Sequence, residues 1–339
     1  MKKYLLPSGG QFYKANLHCH SILTDGRKTP AELKEIYKKL GYSIIAYTDH
    51  DIMIPHHELT DENFLALTGF EAEFNEFDHH PSAWEKTCHI CFIALSPDMD
   101  EQPCWHEKYA YIDNAKENRN KVKVDASSSP FEREYSCENV NKMIEIARER
   151  GFFVTYNHPT WSQENYEQYM GYTGMHAMEM FNGASTALGY EEYNPRVYDD
   201  MLRGDKRIFC VAGDDNHNAW PIDDPKCDQG VAYTMIKAEN LSYRTIAKAL
   251  ENGDFYTSMG PEIKALWYED GKVHIECSDA QSVFCVFGIR HRGRKYCENG
   301  VPVREAEFEV PQGCGYFRLT VVDKAGNRAC TNAYFEDEL

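Results

Sequence analysis

From residue 11 to about 258 the chain alternates short apolar runs with longer stretches whose apolar residues recur at helical spacing, and this alternation predicts β/α units. The runs are YKANLH (13–18), SIIAYTDH (43–50), CHICFIAL (88–95), FFVTYNH (152–158), MHAMEMFN (175–182) and RIFCVAGDDNH (207–217). Each reads as a buried strand that ends in polar residues. Helices are expected over 30–40, 137–150 and 241–252, the first with Pro30 in its opening turn and Gly41 as the cap after it. Beyond Gly260-Pro261 the pattern becomes alternating strands without intervening helices. KALWYED, KVHIECS, VFCVFGIR, EAEFEV and GYFRLTVVD, punctuated by Asp270-Gly271, Asn299-Gly300 and Gly326-Asn327, predict a small antiparallel β-sandwich over 260–339. Residues 119–134 read as a long loop.

The polar residues at the ends of the apolar runs are of one chemical kind. His18 and His20, Asp49 and His50, Glu71, Asn157 and His158, Asn182, and Asp215 and His217 all follow such runs. An α/β barrel gathers its functional groups at the C-terminal ends of its strands, so these side chains are expected to meet. His18-Cys19-His20 puts two imidazoles on one face at strand periodicity. Mixed imidazole and carboxylate sets suit zinc, iron and manganese, and closely spaced ions need a bridging carboxylate, for which Glu71 is the candidate. Glu73 shares its parity and competes with it. His79 and His80 compete in the same way with His89, which sits inside an apolar run where an unpaired imidazole is costly to bury.

The ordered set His18-x-His20, Asp25-Gly26, Thr48-Asp49-His50-Asp51, Gly69-Phe70-Glu71, Asn157-His158-Pro159 and Asp215-Asn216-His217 resembles the PHP family, the polymerase and histidinol phosphatase domain, over residues 16–217. The resemblance implies a distorted seven-stranded β/α barrel of the TIM-like kind, here over 11–259, holding two or three divalent ions, usually zinc, manganese or iron. Carried over motif by motif, it implies the ligands His18, His20, Asp25, His50, Glu71, His89, His158, Asp215 and His217, all but His89 also expected to be catalytic. With a C-terminal β-sandwich the chain is also similar to the carbaryl-hydrolase group.

Charge narrows the partners. Lys and Arg number 36 against 54 Asp and Glu, a formal net charge of −18, which argues against a nucleic-acid backbone as partner. Carboxylates that bind cations would offset part of that charge, so a small anionic substrate fits. No apolar run approaches the length of a membrane span, and the N-terminus lacks the apolar region of an export signal. Twelve dispersed cysteines without a compact framework suggest reduced thiols. A cytoplasmic setting without a membrane partner is expected; the oligomeric state is left open.

The expected reaction is hydrolysis of a small-molecule phosphoester by a hydroxide generated on the ions, with no serine or cysteine nucleophile needed. Two other readings compete with it. The same cluster could cleave a carboxylic ester or carbamate, or the chain could be a non-catalytic metal- or carbohydrate-binding scaffold. Asp49, which strand alternation turns away from the cluster, is expected to support ligands from behind. Asn157, Asn182, Arg119 and Arg133 are candidates for contacts with substrate or ligands, as are Trp84, Trp105, Trp161 and Trp220 for cleft walls.

Overall fold

The computed structural model describes residues 2–76 and 86–339; His79, His80 and Trp84 lie outside the described residues. Seven strands follow one another along one sheet: β1 (Gln11–Asn16), β2 (Ile44–Tyr47), β3 (Leu65–Asn75), β4 (Thr87–Ala94), β5 (Phe152–Tyr156), β6 (Ala177–Asn182) and β7 (Phe209–Gly213). Neighbours in this run pair in parallel except at β4, which is antiparallel to both β3 and β5. The expectation of uniform β/α units therefore fails at β4, which runs against both of its neighbours. Its reversal puts His89, near its start, level with the ends of its neighbours.

The run curls until its two ends meet. Just past β1 and β7, Cys19 and Asn216 form a parallel bridge, and Asp215 N donates to His18 O at 2.9 Å. Asn16 rivets the junction: its Nδ2 donates to Asn216 Oδ1 at 2.8 Å and its Oδ1 accepts from Asp214 N at 2.8 Å. Glycine at 213 is required by this approach, because a Cβ there would lie 2.6 Å from the Cβ of His18. One buried cluster takes a residue from every strand of the run, including Ala15, Ala46, Leu67, Ile93, Phe153, Ala177 and Val211. These apolar side chains fill the interior below the level of Glu71, which shares the Leu67 face of β3.

Helices cover the outside. Helix α1 (Pro30–Lys39) starts at a capping box between Thr29 and Glu32 and buries Leu33 and Tyr37. Helix α2 (Cys137–Glu149) buries Val140, Met143, Ile144 and Ala147 against the Phe70, Phe92 and Phe152 side of the sheet. A short helix α3 (Gly183–Ala187) follows β6, and α4 (Pro195–Arg203) and α5 (Tyr243–Asn252) follow in turn. Residues 119–134 are less bare than expected, holding a 3₁₀ turn at Arg119–Lys121 and a two-residue strand, Lys123–Val124, paired with Glu101–Gln102.

The sheet continues past β1 through β8 (Tyr233–Ala238) and β9 (Phe255–Ser258) into the C-terminal strands β12 (Ser282–Phe287), β13 (Arg292–Tyr296), β15 (Tyr316–Val322) and β16 (Arg328–Thr331). A second sheet, of Lys3–Tyr4, β10 (Ile263–Glu269), β11 (Lys272–Ala280) and β14 (Val303–Glu309), faces it across a core of Leu266, Ile275, Val283, Phe317 and Leu319. The whole is a mixed α/β structure with one large sheet. Among the described residues no helix is long and apolar enough to cross a membrane.

Candidate metal centre

The loops after β1, β2, β5 and β7 and the inward faces of β3 and β4 converge on one buried cluster. His18 Nε2 lies 3.1 Å from Glu71 Oε1, 3.2 Å from Asp215 Oδ1 and 3.2 Å from His20 Nε2. His20 Nε2 is 3.0 Å from Asp215 Oδ1, and His50 Nδ1 is 3.3 Å from Glu71 Oε2. His89 Nδ1 and His158 Nε2 approach Glu71 Oε1 at 3.3 and 3.4 Å. His217 Nε2 and His50 Nε2 reach Asp25 Oδ2 at 3.1 and 3.5 Å. All nine residues singled out as ligands are thus brought together. Glu73 stands one step along β3, its Oε1 accepting from Tyr111 and its Oε2 3.8 Å from His89 Nε2.

Three overlapping groups in the cluster have the donor chemistry to hold an ion: His20, Asp25, His50 and His217; His18, His20, Glu71 and Asp215; and His50, Glu71 and His89. The cluster also leaves buried polar atoms unpartnered. His20 Nδ1, His50 Nδ1, His89 Nδ1 and Glu71 Oε2 are buried without a hydrogen bond, which is costly unless something else satisfies them. The electrostatics point the same way. Burial works against a charged His18, yet Asp215, Glu71 and Glu179 outweigh it and hold its pKa well above the ordinary value. Burial and the neighbouring His20 oppose charge on His50, but Asp25 and Glu71 push it up to about 9. Asp215 and Glu71 are held well below the usual carboxylate range, against the cost of burial, by the imidazoles around them. Buried carboxylates that draw protons onto imidazoles would draw divalent cations for the same Coulombic reason.

The supporting residues explain how the cluster is held. Asp49 turns away from it: Oδ1 accepts from Ser21 N at 2.7 Å and Thr24 Oγ1 at 2.8 Å, fixing the turn that presents Asp25. Asn157 Nδ2 donates to Glu71 Oε1 at 2.7 Å, and Asn182 Nδ2 to Asp215 Oδ2 at 3.2 Å while its Oδ1 caps α3. His158 and Asp215 have φ values of 24° and 52°, a left-handed backbone that non-glycine residues adopt at a cost of about 1–3 kcal/mol each and that concentrates at functional sites.

Arg119 is not brought to the cluster; it donates to Ala110 O and Glu107. Arg133 is buried nearer, paired with Asp51 at 2.5 Å and donating to Glu73 O. Trp161 packs edge-on against His158 and His89, with ring centroids 4.9 and 5.2 Å away.

Several residues that organise the site escaped the sequence reading. Asp214 accepts from the backbone of Gly230, Val231 and Ala232 and from Tyr37, and so anchors the end of β7. Asp228 accepts from His217 N at 2.6 Å. Glu179, in the middle of β6, accepts from His158 N and has its Oε1 2.9 Å from His18 Nδ1. Its signal was present as a lone charge between Met178 and Met180 in an otherwise apolar run.

No family model and no curated protein matches the chain. Among solved structures it is similar to a two-domain protein from Bacteroides vulgatus containing a predicted PHP-like metal-dependent phosphoesterase, at 14% identity and a TM-score of 0.45 over 99% of this chain and 91% of that one. A candidate metal-dependent phosphoesterase from Bifidobacterium adolescentis is similar at 18% identity and a TM-score of 0.38, covering 65% of this chain and 91% of its own. An amidohydrolase from Chromobacterium violaceum is similar at 14% identity and a TM-score of 0.35, over 60% and 87%. At such identities and TM-scores, these likenesses assign no activity to this chain.

Proposed function

We propose that the chain is a metal-dependent phosphoesterase of the PHP family that hydrolyses a small-molecule phosphoester. The observation that carries this reading is the convergence of motifs from His18 to His217 on three ligand groups that share His20, His50 and Glu71. We read the closed run β1–β7 as the distorted barrel, residues 11–259 as the hydrolase domain and 260–339 as a β-sandwich domain. Two or three ions would be shared among His20, Asp25, His50 and His217, among His18, His20, Glu71 and Asp215, and among His50, Glu71 and His89, with His20 and His50, as neutral imidazoles with one lone pair, each serving one ion, and His158 beside Glu71 and Asp215.

Divalent ions such as zinc, manganese or iron supply Lewis acidity toward the phosphoryl oxygens and lower the pKa of water. The chain's own residues do the rest. Asn157 and Asn182 hold Glu71 and Asp215 in place. Asp25 and His217 are the most exposed members of the cluster, with side chains 21% and 32% accessible, so substrate enters on their side. Arg27 N donates to His217 O at 2.8 Å, and its exposed guanidinium, 3.9 Å from Asp113 Oδ2, would have to leave that carboxylate to serve as a cationic group for an anionic substrate.

A second reading, cleavage of a carboxylic ester or carbamate, is favoured by the apolar surroundings. Trp161 packs on two of the imidazoles, and Ile22, Trp220 and Ile222 are exposed on the loops that carry Asp25 and His217. The deciding experiment compares p-nitrophenyl phosphate, bis-p-nitrophenyl phosphate and p-nitrophenyl acetate under zinc, manganese and iron. Cleavage of a phosphate ester is expected; turnover of the acetate alone overturns the phosphoesterase reading.

A further inference from the structure

We infer that Glu179 is the positioning residue that selects the tautomer of His18 and thereby turns its Nε2 into a metal ligand; this rests on the metal-centre reading above. Three nitrogens converge on the Glu179 carboxylate. His18 Nδ1 lies 2.9 Å from Oε1, while Oε2 accepts from His158 N at 2.9 Å and from Asn182 Nδ2 at 2.9 Å. The carboxylate is buried at 2% accessibility, so no solvent competes for it.

An ionised carboxylate only accepts, so the imidazole nitrogen facing it must carry the proton. With the proton on Nδ1, a neutral His18 keeps a lone pair on Nε2. That atom points at Glu71 Oε1, Asp215 Oδ1 and His20 Nε2, all within 3.2 Å and all themselves potential ligands. A carboxylate behind a ligating imidazole also raises its basicity and fixes its ring. Glu179 does this for His18 from β1 while holding the backbone of His158 after β5 and the amide of Asn182 at the end of β6. One side chain thus sets the relative placement of three parts of the site.

The geometry predicts opposite outcomes for two close substitutions. In Glu179→Gln the side chain keeps its shape but has one acceptor and one donor end. His158 N and the Asn182 amide, both facing the Oε2 position, are donors, and the backbone N–H cannot change its role. The amide oxygen therefore goes to that side and its NH₂ faces His18 Nδ1. His18 must then accept at Nδ1 and carry its proton on Nε2, where it no longer ligates. Glu179→Asp keeps an acceptor-only group and the Nδ1–H tautomer.

The test is nitrogen NMR of histidine-labelled, zinc-loaded protein, with the His18 signals assigned by His18→Gln, together with elemental analysis and calorimetric zinc affinity. Wild type and Glu179→Asp are expected to show His18 protonated at Nδ1. Glu179→Gln is expected to show the other tautomer, with zinc affinity weaker by roughly 10- to 100-fold. A wild-type His18 protonated at Nε2, or a Glu179→Gln variant with unchanged tautomer and zinc affinity, overturns the inference. Should Glu179→Gln fail to fold, the wild-type tautomer decides alone. Wild-type protein that takes up no zinc, manganese or iron refutes instead the metal-centre reading on which the inference rests.

Discussion

Asp215 stands within 4 Å of three imidazoles, those of His18, His20 and His158, from a backbone held in the left-handed region by the β1–β7 junction. Replacing it with asparagine preserves its volume and removes its charge. Asp215→Asn is expected to keep the fold, read by circular dichroism, and to lose turnover by more than the roughly 10- to 100-fold typical of residues one step removed from a metal. A different titration contributes to stability. Burial outweighs three tyrosine donors at Glu164, those of Tyr135, Tyr156 and Tyr172, and raises its pKa to about 7. A carboxyl that binds its proton more tightly when folded stabilises fully below its unfolded pKa of about 4.3, and that contribution is lost as pH rises through about 7. Melting temperature should therefore fall between pH 5 and 8 by an amount that Glu164→Gln abolishes, worth at most about 3 kcal/mol; equal slopes in both proteins contradict this. At this scale the sequence was most legible where chemistry is unusual: histidines and carboxylates at the ends of apolar runs have few other reasons to be there. Glu179 and Asp214 were harder to see because their partners, His18 and the 230–232 backbone, are distant or carry no side-chain signature.

At the scale of elements, the site depends on β1 and β7 approaching as closely as glycine permits. Gly213→Ala places a Cβ against that of His18, with backbone rather than a flexible tip to absorb the clash. It should lower stability by about 1–3 kcal/mol and weaken metal uptake, read by thermal melting and elemental analysis; a variant that melts and loads like wild type contradicts that packing. Helices α1, α2 and α5 were legible because capping residues and the 3.6-residue period leave a directional mark. The reversal of β4 was not. Alternation with a period of two reads the same in either direction, so CHICFIAL looks like a strand whichever way it runs, and only pairing of Glu73 opposite His89 fixes the sense.

At the scale of the molecule, the C-terminal strands are joined to the site-bearing part through the sheet itself, β9 pairing with β16. Asn332 adds to the joint by accepting from Cys210 N and donating to Gly253 O and Phe255 O. A buried ion pair between Asp199 on α4 and Arg318 on β15, at 2.8 and 2.9 Å, spans the same boundary. Asp199→Ala strands the guanidinium without its partner and should cost about 3–5 kcal/mol in chemical denaturation; a loss below about 1 kcal/mol contradicts this view of the joint. The change of texture after Gly260 was visible along the chain as a switch in periodicity, whereas continuity of hydrogen bonding across it was not, because strand partners far apart in sequence leave no local pattern. The central claim concerns the cluster at the mouth of the curled sheet, and elemental analysis of the active, purified chain tests it most directly. At least two equivalents of zinc, manganese or iron per chain are expected, falling on Asp215→Asn and His50→Ala substitution; full hydrolytic activity in protein containing no such metal contradicts it.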